Sequence, residues 1–219
     1  MKADAHCEDL LVQARTQSNS DSLVALGDFV TGHACYLAHG GIALRALGDT
    51  DTEIRDAAGN LVEVGRGVFQ DHGLAALGVE AISLQGSASV PLNQRALVGG
   101  LVWRAGLLLK MLDTSFAHLS GRVSGGQKTL QHQLVKATFT ECFSIAEQVR
   151  LEAPLWLDSA SSAEAAEMHE ALTSATTRAA KLMGGHGYLR GSLNGLECLS
   201  LCLSAILRDG IEMQGRAAA

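Results

Sequence analysis

The chain has 219 residues, enough to bury a substantial core as one domain or as one domain with an appendage. Apolar residues make up 47% of it, which excludes a disordered chain, and the formal net charge of −6 argues against a general nucleic-acid binder. The N-terminal residues show no signal-peptide pattern, and charges or glycines interrupt every long apolar stretch. The five cysteines show no paired framework, so we expect reduced thiols in a cytoplasmic protein without a membrane span.

The first half of the chain is predicted to combine helices with a small β-element. Residues 5–17 fit a short helix, and residues 22–47 are interpreted as helical although several glycines interrupt them. Residues 52–64 show a hairpin pattern, in which alternating residues flank a turn rich in Gly and Asn. Residues 79–90 also have β-like character. The sequence therefore predicts two to four strands between residues 50 and 92, which must pack on another element to be stable.

The second half is predicted to be helical throughout. Apolar residues recur at three- and four-residue steps in four segments, which are 94–120, 129–150, about 159–183 and 193–208. Pro154 is expected to stop the second segment, and Gly184 is expected to end the third. Four helices with short connections favour an antiparallel bundle. We therefore predict a mainly α protein, with a small helical and β appendage in residues 1–92 and a four-helix up-and-down bundle in residues 93–219.

An ordered set of motifs in the second half resembles the C-terminal helical domain of the acyl-CoA dehydrogenase family. Val-Pro at residues 90–91 precedes the first helix, and Arg122 opens an Arg-Val-Ser-Gly-Gly junction where the family has Arg-x-x-Phe-Gly. His-Gln-Leu-Val-Lys at residues 132–136 stands at the position of Phe-Gln-x-Val-Gln, and Gly184–Tyr188 reproduces Gly-Gly-x-Gly-Tyr. Residues 209–216 are similar to the Glu-Gly-Thr-like turn and the tail that end the family's chain.

The sequence also departs from the family pattern. Gly125 replaces the aromatic residue of the first junction, and Leu-Ser-Leu-Cys at residues 199–202 replaces an arginine-aspartate pair in the last helix. Full-length members carry an N-terminal helical domain and a middle β-domain before the bundle. About ninety residues do not hold both at ordinary size. The β-element of residues 50–92 is then either a remnant of the middle domain or a replacement for it.

The resemblance implies which residues contact FAD. Family members hold FAD across a subunit interface, and the matching positions are Arg122, Gln133, Gly184 and Gly185. A guanidinium offers paired donors to a phosphate, and glycines let backbone amides approach a ligand closely. The alternative is a helix C-cap at each glycine pair and an ordinary surface arginine.

By the same resemblance, Asp209 occupies the position of the catalytic base, a glutamate in the family, which removes the α-proton of the acyl-CoA. Its carboxylate is competent but one methylene shorter. A charged helix terminus, paired with the adjacent Arg208, is the alternative. No metal site is predicted, because Cys198 and Cys202 lack a second ligand pair and the eight histidines are scattered.

The implied function is that of an acyl-CoA dehydrogenase-like subunit. It would contribute to FAD-dependent α,β-dehydrogenation of an acyl-CoA thioester in lipid metabolism, within a homo- or hetero-oligomer. Two alternatives stay open. One is a non-catalytic structural or regulatory partner of a full-length acyl-CoA dehydrogenase, and the other is a subunit of a flavin-dependent monooxygenase, since the fold family includes such enzymes.

Overall fold

A computed structural model describes residues 2–69, 71–85, 92–158, 162–189 and 192–217. Within these ranges, the side chains of residues 2–4, 66, 158, 162–163 and 208–217 are outside the description. The helices in the described residues are α1 (Lys2–Thr16), α2 (Asn19–Thr31), α3 (His72–Ala76), α4 (Gln94–Ser120), α5 (Gln133–Asp158), α6 (Ser162–Ala180) and α7 (Leu193–Ala217), with short 3₁₀ helices at Thr129–Gln131 and Gly184–Tyr188.

The strands form one larger sheet and one small hairpin. They are β1 (Tyr36–His39), β2 (Ile42–Ala46), β3 (Ile54–Asp56), β4 (Val64–Phe69), β5 (Val79–Leu84), β6 (Val123–Ser124) and β7 (Gln127–Lys128). The larger sheet has the order β3-β1-β2-β5-β4, and β6 pairs with β7. Only the β1–β3 pair is parallel among these described strands.

The helical interpretation of residues 22–47 is wrong beyond residue 31. Helix α2 ends where Gly32 adopts a left-handed conformation with φ of 76°, and the chain then forms the β1–β2 hairpin. Gly40 and Gly41 connect the two strands with φ of 58° and 80°. Two successive positive φ values are the requirement of the tight turn that matches the twist of a hairpin, and glycine meets it without strain. The glycines therefore mark the end of a helix and a turn.

The turn predicted within residues 52–64 is present, but its second arm is short. The Asp56 N–H donates to the Asn60 carbonyl at 3.0 Å, and Gly59 has φ of 87°. Only one bridge, between Arg55 and Leu61, continues the pairing. From Val64 the chain leaves this turn and pairs with β5 instead. The three strands within residues 50–92 agree with the prediction, and β1 and β2 extend them to a five-stranded sheet.

Helix α4 is the central element of the fold. It contacts α1, α2, α5, α6 and α7, and every residue from Ala96 to Leu109 is buried. The helix is thus buried on all sides in this part, whereas apolar residues at three- and four-residue steps predict burial of one face. Phe116, nearer the C-terminal end of the helix, is 56% exposed. Trp103 ties α2 to α4, because its indole N–H donates to the Ser22 carbonyl at 3.0 Å.

Three predicted helix ends differ from the structure. Helix α5 continues through Pro154 to Asp158, and the turn after the proline buries Trp156 in the core. Burial of a large side chain offsets the backbone hydrogen bond that proline removes. Helix α6 ends at Ala180, three residues before the predicted end, and α7 extends to Ala217 rather than stopping at residue 208. Asp209 therefore lies within a helix and not in a turn.

The predicted fold class is confirmed. Helices α4, α5, α6 and α7 contact one another in succession, and α7 closes the ring on α4, which is an up-and-down bundle. The five-stranded sheet and the N-terminal helices form the appendage. Buried residues from both parts belong to one hydrophobic core. The division at residues 92 and 93 stays a prediction.

Candidate functional site

The structure brings together the two glycine junctions of the bundle, which are about sixty residues apart in the sequence. After α4, the chain turns through the β6–β7 hairpin, and after α6 it forms the 3₁₀ helix Gly184–Tyr188. The imidazole of His118, near the end of α4, lies against that of His186, with ring centroids 5.0 Å apart. Arg122 contacts the same histidine, because its Nη1 lies 2.8 Å from His118 Nε2. We call Arg122, His118 and His186 the junction cluster.

The hydrogen bond to Arg122 determines the protonation of His118. A guanidinium only donates, so His118 Nε2 must be the acceptor and must carry no proton. The pKa of His118 is lowered by desolvation, by the positive charge of Arg122 and by His186. Among the ion pairs of the described residues, none includes a member of the junction cluster. The cluster is therefore a concentration of cationic and potentially cationic groups without a carboxylate partner in that part of the chain.

The two predicted cofactor-contact glycines are exposed beside this cluster. Gly184 has φ of 53°, which explains the glycine there by backbone conformation. Gly185 has no such φ, and a Cβ built on it would meet no described atom within 4 Å. Gly187, by contrast, is required for packing, because its Cβ would lie 2.7 Å from the Ala180 carbonyl oxygen. The described residues thus give no internal reason for glycine at position 185.

The hairpin that carries Arg122 is held by its own hydrogen bonds. Gly125 and Gly126 form its turn with φ of 59° and 82°, so the glycine that replaces the family's aromatic residue has a local conformational role. The His132 ring bonds to Gln127 at 2.9 Å and to the Ser124 carbonyl at 3.1 Å. Gln133 follows as the first residue of α5 and is exposed.

Asp209 lies away from this junction. It is sixteen residues after the first residue of α7, which corresponds to about 24 Å along a helix axis. Its side chain lies outside those that the structure describes. Its role as a base therefore stays a prediction.

A small apolar cleft lies between the larger sheet and the part of α7 that precedes Asp209. It has a volume of about 270 Å³ and is lined by residues of both elements, which include His39, Leu44, Phe69, Cys202 and Ile206. Ligand pockets usually measure about 300–1,000 Å³. This cleft is therefore too small to enclose a dinucleotide.

A second cleft lies between α4 and α5. It has a volume of about 540 Å³ and an apolar lining dominated by Leu109, Leu112, Phe116, Phe139 and Phe143, with Arg15, Asp113 and Lys136 among the other lining residues. Arg15 and Asp113 form a two-point ion pair there, with N–O distances of 2.7 and 2.8 Å.

The interior of the bundle holds a buried cation. Arg104 of α4 is fully buried, and its guanidinium bonds to Ser200 Oγ, to both His169 Nδ1 and the His169 carbonyl, and to Thr173 Oγ1, at 2.7–3.0 Å. Burial lowers the pKa of Arg104 to about 10. Burial and the neighbouring guanidinium lower the pKa of His169 to about 3, so this imidazole is neutral. These neutral acceptors satisfy the cation in place of a carboxylate.

Sequence reasoning identified Arg122 and the glycines but treated His118 and His186 as unremarkable. No local pattern marks these histidines, because they meet only through the packing of the two junctions. In the part of the chain that the structure describes, no three His, Cys, Asp or Glu side chains are grouped so as to hold a metal ion. None of the described helices combines the length and apolar character that crossing a membrane requires.

Comparison with known proteins places the fold. No family model and no curated protein matches the sequence. Among solved structures, the chain is similar to the Tcur3481-Tcur3483 steroid acyl-CoA dehydrogenase (15% identity, TM-score 0.53), to a glutaryl-coenzyme A dehydrogenase in complex with glutaryl-CoA (13%, 0.51) and to a probable acyl-CoA dehydrogenase from Mycobacterium abscessus (14%, 0.50). The matches cover 81–84% of this chain but only 61–63% of those chains.

These likenesses confirm the resemblance at the level of the fold. The chain shares the fold of part of these acyl-CoA dehydrogenase structures and spans about three-fifths of their length. Identity of 13–15% shows the fold alone, because unrelated activities occur on one fold.

Proposed function

We propose that this chain is the shorter subunit of an acyl-CoA dehydrogenase-like assembly, in which it contributes part of an FAD site whose flavin is held by a longer subunit. The observation that carries the proposal is the junction cluster. It presents an arginine without a carboxylate partner, two imidazoles and exposed glycine backbone on one surface. Such a surface suits a diphosphate that another subunit holds at its edge.

The size of the cleft beside α7 supports a shared site rather than a complete one. Its volume of about 270 Å³ is below that of most ligand pockets, so this cleft does not hold a dinucleotide. Arg122 would bind the phosphates of FAD, Gln133 would add an amide at the start of α5, and Gly184 and Gly185 would let the backbone approach. FAD, when bound, supplies the acceptor for the hydride that leaves the β-carbon of an acyl-CoA. The α-proton would be taken by a carboxylate, for which Asp209 is the candidate in this chain.

The test is the flavin absorbance of the purified chain, alone and co-purified with a full-length acyl-CoA dehydrogenase-like subunit. We expect flavin bands only in the complex, and a loss of at least half of the bound flavin in Arg122→Ala. The matched control is Arg150→Ala. Arg150 is also partly exposed but already pairs with Glu147 at 2.9 Å, about 25 Å along α5 from its first residue. Flavin in the chain alone, or equal losses in the two variants, would contradict the shared site.

A second candidate is a non-catalytic partner that retains the bundle without the chemistry. The same small cleft favours it, because a subunit that encloses no flavin does not need a base. Asp209→Asn in the assembled complex distinguishes the two. If Asp209 is the base, dehydrogenation of an acyl-CoA falls by about 100-fold or more while bound flavin is unchanged. Full activity of the Asp209→Asn complex would support the hypothesis of a non-catalytic partner.

A further inference from the structure

The junction cluster places two imidazoles beside a guanidinium, and this gives it a property beyond simple attraction of an anion. In the structure, His118 Nε2 accepts a hydrogen bond from Arg122 at 2.8 Å, so the imidazole is neutral. Protonation would place a second donor against the guanidinium and would break this bond. The two positive groups would then repel each other, and an anion between them would relieve this repulsion.

Among the described residues around the cluster, no carboxylate takes the place of such an anion. The groups that act on His118 are Arg122, on its own junction, and His186, on the turn packed against it. On the adjoining hairpin, His132 is occupied by Gln127 and Ser124, and Lys128 adds another exposed positive charge. No carboxylate of the described residues pairs with any member of the cluster.

We propose that His118 and His186 act with Arg122 as a pH-dependent binding site for a divalent, phosphate-type anion, whose binding is coupled to uptake of protons by the two imidazoles. This inference rests on the proposed function for its physiological ligand, since both FAD and coenzyme A carry such phosphates. The anion replaces the direct bond from Arg122 to His118: the guanidinium and the protonated imidazole both donate to it. Affinity therefore rises as the pH falls, until both histidines are protonated in the free protein.

The direction of this pH dependence follows from the linkage between anion binding and proton binding. Desolvation and the positive charge of Arg122 hold the pKa of His118 below its usual value in the free protein. A bound dianion stabilises the imidazolium and raises that pKa. Between the two pKa values, binding takes up protons and strengthens with falling pH. Above the raised pKa this gain is absent, and only the attraction of Arg122 remains.

Sulfate is the appropriate probe, because it remains divalent throughout the pH range in which histidine titrates. We would follow the imidazole resonances of His118 and His186 by NMR, assigned with His118→Asn and His186→Asn, from about pH 8 to pH 5 with and without sulfate. Sulfate should raise the pKa of both histidines. Its affinity should be about fivefold higher at the acidic end than at the alkaline end, as expected for partly exposed charge pairs. His72→Asn, an exposed histidine on α3, is the control and should change nothing.

The outcomes separate this inference from the proposed function. Sulfate binding that is independent of pH and unchanged in both His→Asn variants would overturn the role of the histidines, while leaving Arg122 as a phosphate contact. No sulfate binding at any pH would overturn the inference, and the flavin experiment would still decide the shared site by itself. If pH-dependent binding is observed, competition identifies the source of the phosphate: FAD displaces sulfate at lower concentration than coenzyme A if the site serves the dinucleotide, and the order reverses if it serves the thioester.

Discussion

Replacement of Arg104 tests how the bundle tolerates a buried cation. Methionine is apolar and shorter, so it fills part of the same space without charge and without reaching the hydrogen-bond partners. After Arg104→Met, the His169 carbonyl still receives the Thr173 hydroxyl at 2.9 Å, but His169 Nδ1 and Ser200 Oγ both lose their donor. Each unsatisfied buried acceptor costs about 1–3 kcal/mol. The substitution should therefore lower the free energy of unfolding by about 2 kcal/mol or more.

A double-mutant cycle with His169→Leu isolates the interaction. His169→Leu alone leaves one Nη1 donor of Arg104 without its partner and should cost about 2 kcal/mol. In Arg104→Met/His169→Leu both the donor and the acceptor are gone, so the double variant should be more stable than the sum of the single losses predicts. We expect a coupling of about 1–2 kcal/mol, within the usual range for residues in contact.

The assay is urea unfolding followed by far-UV circular dichroism. Arg150→Met is the control: this arginine is partly exposed and its ion pairs are at the surface, so the variant should stay within about 1 kcal/mol of the parent. Two results would refute the reasoning. If Arg104→Met is more stable than the parent, the penalty of burying the cation exceeds what its four neutral hydrogen bonds return. If the single effects are additive, the contact between Arg104 and His169 contributes nothing of its own.

Two further predictions concern pH and packing. The pKa of His169 is lowered to about 3 in the folded chain. The stability that its neutral form contributes should therefore be fully present above the unfolded pKa of about 6.5 and should be lost as the pH falls toward 3, by up to about 1.4 kcal/mol per pH unit. Urea midpoints at several pH values should show a smaller decline for His169→Leu, and parallel curves for the two proteins would contradict this prediction. Gly106→Ala should destabilise the chain by about 1 kcal/mol or more, because its Cβ would lie 2.5 Å from the Leu11 carbonyl oxygen. Gly195→Ala is the control: its Cβ meets only Leu77 at 3.4 Å, so it should be neutral or stabilising by up to about 1 kcal/mol. Thermal unfolding measures both, and similar melting temperatures for the two variants would contradict the prediction.

Periodicity predicted the helices well where the pattern was long. Helix α4 begins and ends where the sequence indicated, because its apolar positions recur over seven turns and Asn93 caps it through a bond to the Ala96 N–H at 2.8 Å. Residues 32–47 were assigned wrongly because short apolar runs do not distinguish a helix from a buried strand. Pro154 was taken as a stop, since its local effect is unfavourable and the burial of Trp156 that offsets it is a tertiary contact.

The sequence by itself determined the order of the bundle helices and the positions of the glycine junctions. These depend on amphipathic periodicity and on backbone conformations available within a few residues, as at Gly184. The tertiary structure alone decided the neighbours of each junction. His118 and His186 meet across sixty-eight residues of sequence, and Arg104 finds Ser200 across ninety-six, as α4 packs on α6 and α7. Such contacts depend on how whole helices pack, which no local pattern encodes.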